Sequence, residues 1–468
     1  MRYVALAAGY DGTLAREGRC DPRCVTALSA LSASGRKLIL VTGRQLRQLL
    51  EIFPESRVFD YVVAENGAVM YRPASRQSAI LAQAPPEILL QELQRRNVAP
   101  LSVGSSSITT LQSNRQRVRQ ALRKLELDFR LVSNEGVLSI LPPGVDKAYG
   151  VRIALRELGV SPHNLAAIGD NDNDLALFAL AEHAAAVRNA PASTRRAADR
   201  TLRKGRCDGF LEFADELLAR DLVGAQPRTR IIIGHSEEVG QIDFAPSCDS
   251  VLICGPEGGG QAAVCDALLE QLLACDYQCC MIGARFDGFG GRSCMAGFGA
   301  AHEIPRLTDV LSALEQPQLS AYVDLAALPL EGRPAFTEAL LLQLLALHDR
   351  VGRPHCVLID QAESLVRAPA AALTTRLSEA TLIYSTAQPE LLSAPVVDRV
   401  RLIVSLADAG RAPDEWRGRR ALQAQATTAG GVVRRISVLR PASTGELTCA
   451  ASSSASDAAS AAGALSGY

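Results

Sequence analysis

Five polar side chains in the first part of the chain have types and spacing suited to phosphoryl chemistry: Asp11, Thr42, Lys147, Asp170 and Asp174. Two or three carboxylates can hold Mg²⁺ against phosphate oxygens. A lysine and a hydroxyl can neutralise and orient a phosphoryl group. Each of these residues alone is an ordinary turn or capping residue. As a set they stand at or beside the ends of successive apolar runs, and strand carboxyl ends share one edge of an open α/β sheet, where ligands bind. The run that leads to Asp11 ends in Gly9, which has no side chain to contribute.

The elements that must position these residues follow from the pattern. Tyr3 to Ala8 is an apolar run that predicts a buried parallel strand, closed by the small and polar Gly9-Tyr10-Asp11-Gly12-Thr13. Asp21-Pro22 predicts a helix start, with Val25, Leu28 and Leu31 on its apolar face and Gly35 as its stop. Lys37 to Val41 predicts a second strand, ending in Thr42-Gly43-Arg44, and Arg44 to Phe53 a helix. Tyr61 to Ala64 predicts a third strand, followed by a hairpin-like turn at Glu65-Asn66-Gly67-Ala68. This is the β-α-β-α-β rhythm of a Rossmann-like, doubly wound parallel sheet.

Residues of about 72–143 break that rhythm. Helices are expected at Pro85 to Arg96 and Asn114 to Leu125. Strands are expected at Leu101 to Leu111 and at Phe129 to Leu141, the latter turning around Asn134-Glu135-Gly136. Together they form a small α+β insert. The parallel pattern then resumes with the helix Lys147 to Leu158, closed by Gly159, and the strand Leu165 to Ile168. The run Gly169-Asp170-Asn171-Asp172-Asn173-Asp174 opens a helix, where acidic residues suit the macrodipole.

On these motifs, residues 1–221 resemble the haloacid dehalogenase superfamily, in its Cof-type, sucrose-phosphate-phosphatase-like branch. Gly9-Tyr10-Asp11-Gly12-Thr13-Leu14 stands at the first motif, Asp-x-Asp-Gly-Thr-Leu. Thr42 matches the second motif, Lys147 the third, and Asp170 with Asp174 the fourth. The insert sits where that family carries its cap. The resemblance implies an Mg²⁺-dependent phosphohydrolase acting on a small phosphorylated metabolite, such as a sugar phosphate. It implies that Asp11 is the acid/base, that Asp11, Asp170 and Asp174 hold the metal, and that Thr42 and Lys147 contact phosphate. Gly12, Gly43, Arg44, Asn66 and Asn173 are the neighbouring positions expected to touch phosphate or substrate. The nucleophile position is Gly9. Loss of a covalent nucleophile costs on the order of 10⁶ in rate, roughly 8 kcal/mol of barrier. Turnover by the family mechanism is therefore expected to be impaired, and Mg²⁺ binding weakened.

After a Pro- and Gly-containing linker at 222–229, a second α/β region runs over 230–440. Ser250 to Cys254 predicts a buried strand and Ala262 to Leu273 a helix, joined by the Gly-rich 255–260. That context is the one a phosphate-cradling P-loop requires. Gly255 and Gly260 match Gly-x-x-x-x-Gly-Lys-Ser/Thr, but Gln261 replaces the lysine and Ala262 the hydroxyl. Val357-Leu358-Ile359-Asp360-Gln361 is similar to a Walker B strand, with Asp360 kept and Gln361 in place of a water-activating glutamate. The region resembles a P-loop ATPase of the DNA-translocase-like group, and the order of the two domains a fused architecture of bacterial proteins. With the lysine and hydroxyl missing, ATP is not expected as a ligand. A second reading follows: a non-catalytic regulatory or binding protein, with a protein partner, in which both chemistries are lost.

The bulk composition sets the outer limits. The chain has 468 residues and a formal net charge of −1, which gives no electrostatic footprint for nucleic acid. No apolar stretch is long enough to span a bilayer, and the N-terminus lacks a signal-peptide pattern, so a cytoplasmic protein is expected. The twelve cysteines are scattered with no pair of Cys-x-x-Cys units, which predicts buried thiols rather than a zinc site. The six histidines lack metal-ligand spacing and read as surface or helix-end residues. Residues 441–468 are Ser- and Ala-rich and read as a disordered tail.

Overall fold

The computed structural model describes residues 1–134, 136–225, 227–236, 240–246, 249–284, 294–366, 373, 376 and 381–406, with the backbone alone of 421–428 and 433–439. Glu135 and the tail expected at 441–468 lie outside the described residues. The chain forms two units, Arg2–Gln226 and Pro227–Tyr468, the second with Met1.

The first unit is built on an eight-stranded sheet in the order Arg200–Thr201, His183–Ala186, Leu165–Gly169, Ala5–Gly9, Lys37–Val41, Tyr61–Ala64, Val69–Arg72, Gln77–Ile80. The first six strands are parallel and the last two antiparallel. The sequence explains the layering. Ala5–Gly9, Leu165–Gly169 and His183–Ala186 are buried at every residue and rich in alanine. Such strands suit a sheet covered on both faces. Helix Pro22–Ala33 begins as the Asp-Pro pair predicts, with Asp21 accepting the N–H of Arg23, and it buries Cys24, Leu28 and Leu31. Strand order reverses around Ala5–Gly9, so Gly9 lies at a topological switch point.

Three expectations shift. The helix expected from Arg44 starts at Leu46, which leaves Arg44 in the loop. The strand Gln77–Ile80, inside the insert expected at about 72–143, extends the main sheet instead. The single strand expected at Leu101 to Leu111 is two, Ser102–Val103 and Ile108–Leu111, folded on each other by a turn in which Gly104 N–H donates to Ser107 O at 2.8 Å.

The insert is a four-stranded antiparallel sheet, Arg130–Asn134, Val137–Leu141, Ile108–Leu111, Ser102–Val103, backed by helices Glu87–Arg95 and Arg115–Lys124. It has its own core, with Leu89, Leu93, Ile108, Val118 and Ile140 fully buried. A carboxylate of the main domain holds it. Glu65, 2 % exposed, accepts Ser105 N–H at 3.0 Å, Ser106 N–H at 3.1 Å and Ser107 Oγ at 2.7 Å. Gly104 has no Cβ to block this approach; one built there would lie 2.4 Å from Glu65 Oε2.

The second unit has an eleven-stranded sheet. Its parallel part runs Val400–Leu406, Ser250–Cys254, Thr381–Thr386, Cys356–Ile359, Cys279–Gly283, Ser320–Asp324, Met295–Phe298. Two histidines are neither surface nor helix-end residues: His183 and His355 are buried, His183 stacking on Phe213 and His355 accepting the Gln278 N–H at 2.8 Å, whereas the buried His348 does lie in the last turn of its helix, Arg333–Val351.

Removing the Glu65 carboxylate strands three donors of the 104–107 turn, of which those of Ser106 and Ser107 are on buried residues and cost roughly 1–3 kcal/mol each when unsatisfied. Glu65→Ala is expected to speed amide hydrogen exchange at Ser105 and Ser106 by about tenfold or more, with exchange in the main sheet little changed.

Candidate active site

Ala5–Gly9 lies between Lys37–Val41 and Leu165–Gly169, with Gly9 paired to Val41 and Ala8 to Ile168. The loops after these three strands therefore leave the sheet side by side, bringing Gly9, Asp11, Thr42 and Asp170 to one edge. Helix Lys147–Leu158 delivers Lys147 to the same edge.

Gly9 is not required by the backbone. A Cβ at this position would meet Thr13 Oγ1 at 3.1 Å and Ile168 O at 3.6 Å, contacts that a small movement of one hydroxyl relieves. Gly12 differs. Its φ is +73°, and a Cβ there would sit 2.0 Å from Asp170 Oδ2. Asp170 is buried, and its Oδ1 accepts the Thr13 hydroxyl at 3.3 Å.

Asp11 and Arg44 form a fork. Arg44 Nε donates to Asp11 Oδ2 at 2.8 Å and Nη2 to Oδ1 at 2.7 Å, the bidentate geometry that gives charge-assisted pairs their strength. The loop carrying Arg44 is fixed locally, its N–H donating to Thr42 Oγ1 at 3.1 Å and its carbonyl accepting the Glu65 N–H at 2.9 Å. Beneath the fork, burial holds the Tyr10 phenol above its usual range, and its hydroxyl donates to Gly18 O at 3.1 Å.

Lys147 and Asp174 form the innermost pair. Lys147 Nζ donates to Asp174 Oδ1 at 2.5 Å, while Oδ2 accepts the N–H groups of Asp170 at 3.0 Å and Asn171 at 3.2 Å. Their side chains are 5 % and 0 % exposed. Asn173 Nδ2 donates to Asn66 Oδ1 at 3.2 Å, and Asn66 Nδ2 to Ser139 Oγ of the insert at 3.2 Å. Asn171 bonds Asn134, also of the insert. Asn66 thus touches the fourth-motif loop and the insert together, and Gly43 packs against it, since a Cβ there would lie 3.0 Å from Asn66 Nδ2.

The donors do not assemble a Mg²⁺ cradle. Of the three carboxylates expected to share a metal, Asp11 is forked to Arg44, and both oxygens of Asp174 are engaged by Lys147 and two amides. Among the described residues no three His, Cys, Asp or Glu side chains are grouped for a metal ion.

The sequence signals located the five polar residues but not their pairings. They also missed the role of Glu65. Its signal is a carboxylate beside Asn66 in a turn where both residues have positive φ, 51° and 53°, a conformation non-glycine residues adopt when surroundings impose it.

In the second unit, Gln261 turns back on its own loop. Its Nε2 donates to Gly255 O at 2.5 Å and Pro256 O at 2.9 Å. Ala262, the next residue, brings no hydroxyl. Asp360 ends the strand Cys356–Ile359, and burial holds its carboxyl above the usual range, partly offset by a hydrogen bond from Ser385.

Cutting Lys147 back leaves the Asp174 charge buried without its cation, at a cost of roughly 3–5 kcal/mol. Lys147→Ala is expected to lower the denaturation midpoint of the first unit by that measure in chemical unfolding, whereas the exposed Arg47→Ala is expected to change it by less than about 0.5 kcal/mol.

The haloacid dehalogenase-like hydrolase family profile matches residues 6–94 and 102–213. The chain is 30 % identical over 228 residues to a phosphoglycolate phosphatase of Natronomonas pharaonis, covering 46 % of this chain and 97 % of that protein. It is 27 % identical over 216 residues to one of Haloarcula marismortui, covering 44 % and 94 %. A haloacid dehalogenase-like hydrolase structure from Bacteroides thetaiotaomicron overlays 46 % of this chain and 99 % of its own, at 19 % identity and a TM-score of 0.42. Through its first unit, the chain belongs to the haloacid dehalogenase-like hydrolase family.

Proposed function

We propose that the first unit binds a small phosphorylated metabolite and is impaired in hydrolysing it. The observation that carries this reading is Gly9: the strand end at the switch point has no side chain, although a Cβ there would press only on the Thr13 hydroxyl. Supporting it, Thr42, Lys147, Asp170 and Asp174, residue types suited to a phosphoryl site, stand around Gly9 at the same sheet edge. In-line attack by an aspartate needs a carboxylate at position 9. A water molecule would have to rely on Asp11 as base, and Arg44 holds both of its oxygens. Mg²⁺ binding is weak in this reading, because position 9 supplies no oxygen and two of the remaining carboxylates are engaged. The names of the relatives suggest phosphoglycolate as a ligand, and the branch resemblance suggests a sugar phosphate.

Gln261 favours a second reading, that of a regulatory protein with both chemistries lost. In this reading the second unit is a P-loop-type domain, supported by the strand Thr381–Thr386 lying between Ser250–Cys254 and Cys356–Ile359. Its loop carbonyls are bonded by the residue that stands where lysine would reach phosphate.

Gly9→Asp is the central test. The unaltered chain is expected to release phosphate from phosphoglycolate and hexose phosphates on the order of 10⁶ more slowly than an intact enzyme. Gly9→Asp is expected to gain Mg²⁺-dependent activity, with tighter Mg²⁺ binding in calorimetry. Turnover by the unaltered chain that Asp170→Ala abolishes would overturn the first reading. For the second unit, calorimetry is expected to show no ATP binding by the unaltered chain. Tight ATP binding there, unchanged by Gln261→Lys, contradicts the second reading.

A further inference from the structure

Three free thiols of the first unit meet beside the loop that carries Asp11. Cys20 ends the short hairpin Ala15–Arg16 and Arg19–Cys20. Cys24 lies in the first turn of helix Pro22–Ala33, and Cys207 in the first turn of helix Arg206–Arg220. Arg23 ties the two helix starts together through Asp208 at 2.9 Å. The Cys24 thiol is fully buried, and the nearness of Cys20 and Cys207 pushes it up. Cys20 and Cys207 are half-buried and line an open cavity of about 610 Å³, together with Arg16, Arg19 and Arg206, while Asp21 and Asp208 on its wall are paired with Arg23.

We propose that this cavity is a thiol-modification site for an anionic disulfide of the glutathione class, and that it closes to a Cys20–Cys24 disulfide. The guanidinium groups suit the carboxylates of such a peptide. The Cys20 thiolate attacks one sulfur of the oxidised peptide, expelling one reduced thiol and leaving a mixed disulfide. The Cys24 sulfur, having given up its proton, then attacks the Cys20 sulfur and expels the second reduced thiol. Two protein thiols lose two protons and two electrons, and the peptide disulfide takes up both.

The order of events follows from the surroundings. Burial pushes the Cys207 thiol up, and contact with Cys20 pushes the Cys24 thiol up. Both are poorer first nucleophiles than an accessible thiol, and Cys24 has no exposure through which to meet the oxidant. The bond would also reach the candidate active site. Gly12 N–H donates to Ala15 O at 3.1 Å and Tyr10 Oη to Gly18 O at 3.1 Å, so the hairpin and the Asp11 loop are one hydrogen-bonded unit.

Trypsin separates the three thiols, because Arg19, Arg23, Arg36, Arg206 and Arg220 bound peptides 20–23, 24–36 and 207–220. The full-length chain is treated with millimolar oxidised glutathione, alkylated while denatured, digested and mapped by mass spectrometry. The expected product is peptide 20–23 linked to 24–36, reversed by dithiothreitol and retained in Cys207→Ser. In Cys24→Ser, peptide 20–23 is expected to carry glutathione instead. Full alkylation of 20–23 in the unaltered chain overturns the proposal, as does a link from 20–23 to 207–220 or a mixed disulfide on Cys20 that persists with Cys24 present. If Cys24→Ser does not fold, the unaltered chain and Cys207→Ser decide between these outcomes.

Discussion

The candidate site depends first on one buried ion pair. Lys147 and Asp174 are shielded from water, so each charge is tolerable only with the other in place. Asp174 does more than neutralise. Its second oxygen gathers the N–H groups of Asp170 and Asn171 and so shapes the loop that leaves the strand Leu165–Gly169. The direction in which Asp170 leaves the sheet is set by a side chain four residues later. The same pair fastens helix Lys147–Leu158 to the sheet edge. An element of packing and an element of the site are therefore one interaction.

Above that pair, the electrostatics are set by the Asp11–Arg44 fork. A phosphate presents the same two-oxygen face to a guanidinium that a carboxylate does, so a bound phosphate and Asp11 would compete for Arg44. The insert is held by a parallel device, since Glu65 fills the turn 104–107 with a carboxylate of the main domain. In both places an internal anion occupies donors of the kind that bind phosphate.

Much of the fold was legible because its strands are short, apolar and bounded by glycine or polar turns. Lys37–Val41, Tyr61–Ala64 and Cys356–Ile359 carry that signal cleanly, and Gly159 marks the end of its helix through a left-handed cap. The split of Leu101 to Leu111 was not legible. It depends on Glu65, some forty residues away, and no local pattern reports such a partner. The start of the helix at Leu46 was hidden for a similar reason: Arg44 is a good helix former locally, but its side chain is engaged by Asp11. The residues of the candidate site could be picked out one by one from strand-end position. Their pairings could not, because which charge meets which is decided by tertiary distance. Buried histidines such as His183 were misread because a neutral imidazole packs like an aromatic ring, here between Tyr3 and Phe213.

Gly9, the end of its strand, and Gly12, in the loop that follows, differ in what holds them in place. A side chain at Gly12 would drive into Asp170, and its positive φ guards that glycine as well. At Gly9 a Cβ would need only the Thr13 hydroxyl to give by a few tenths of an ångström. In the reading proposed above, the position that decides the chemistry is thus one that packing constrains less than Gly12, so folding alone does not fix its identity.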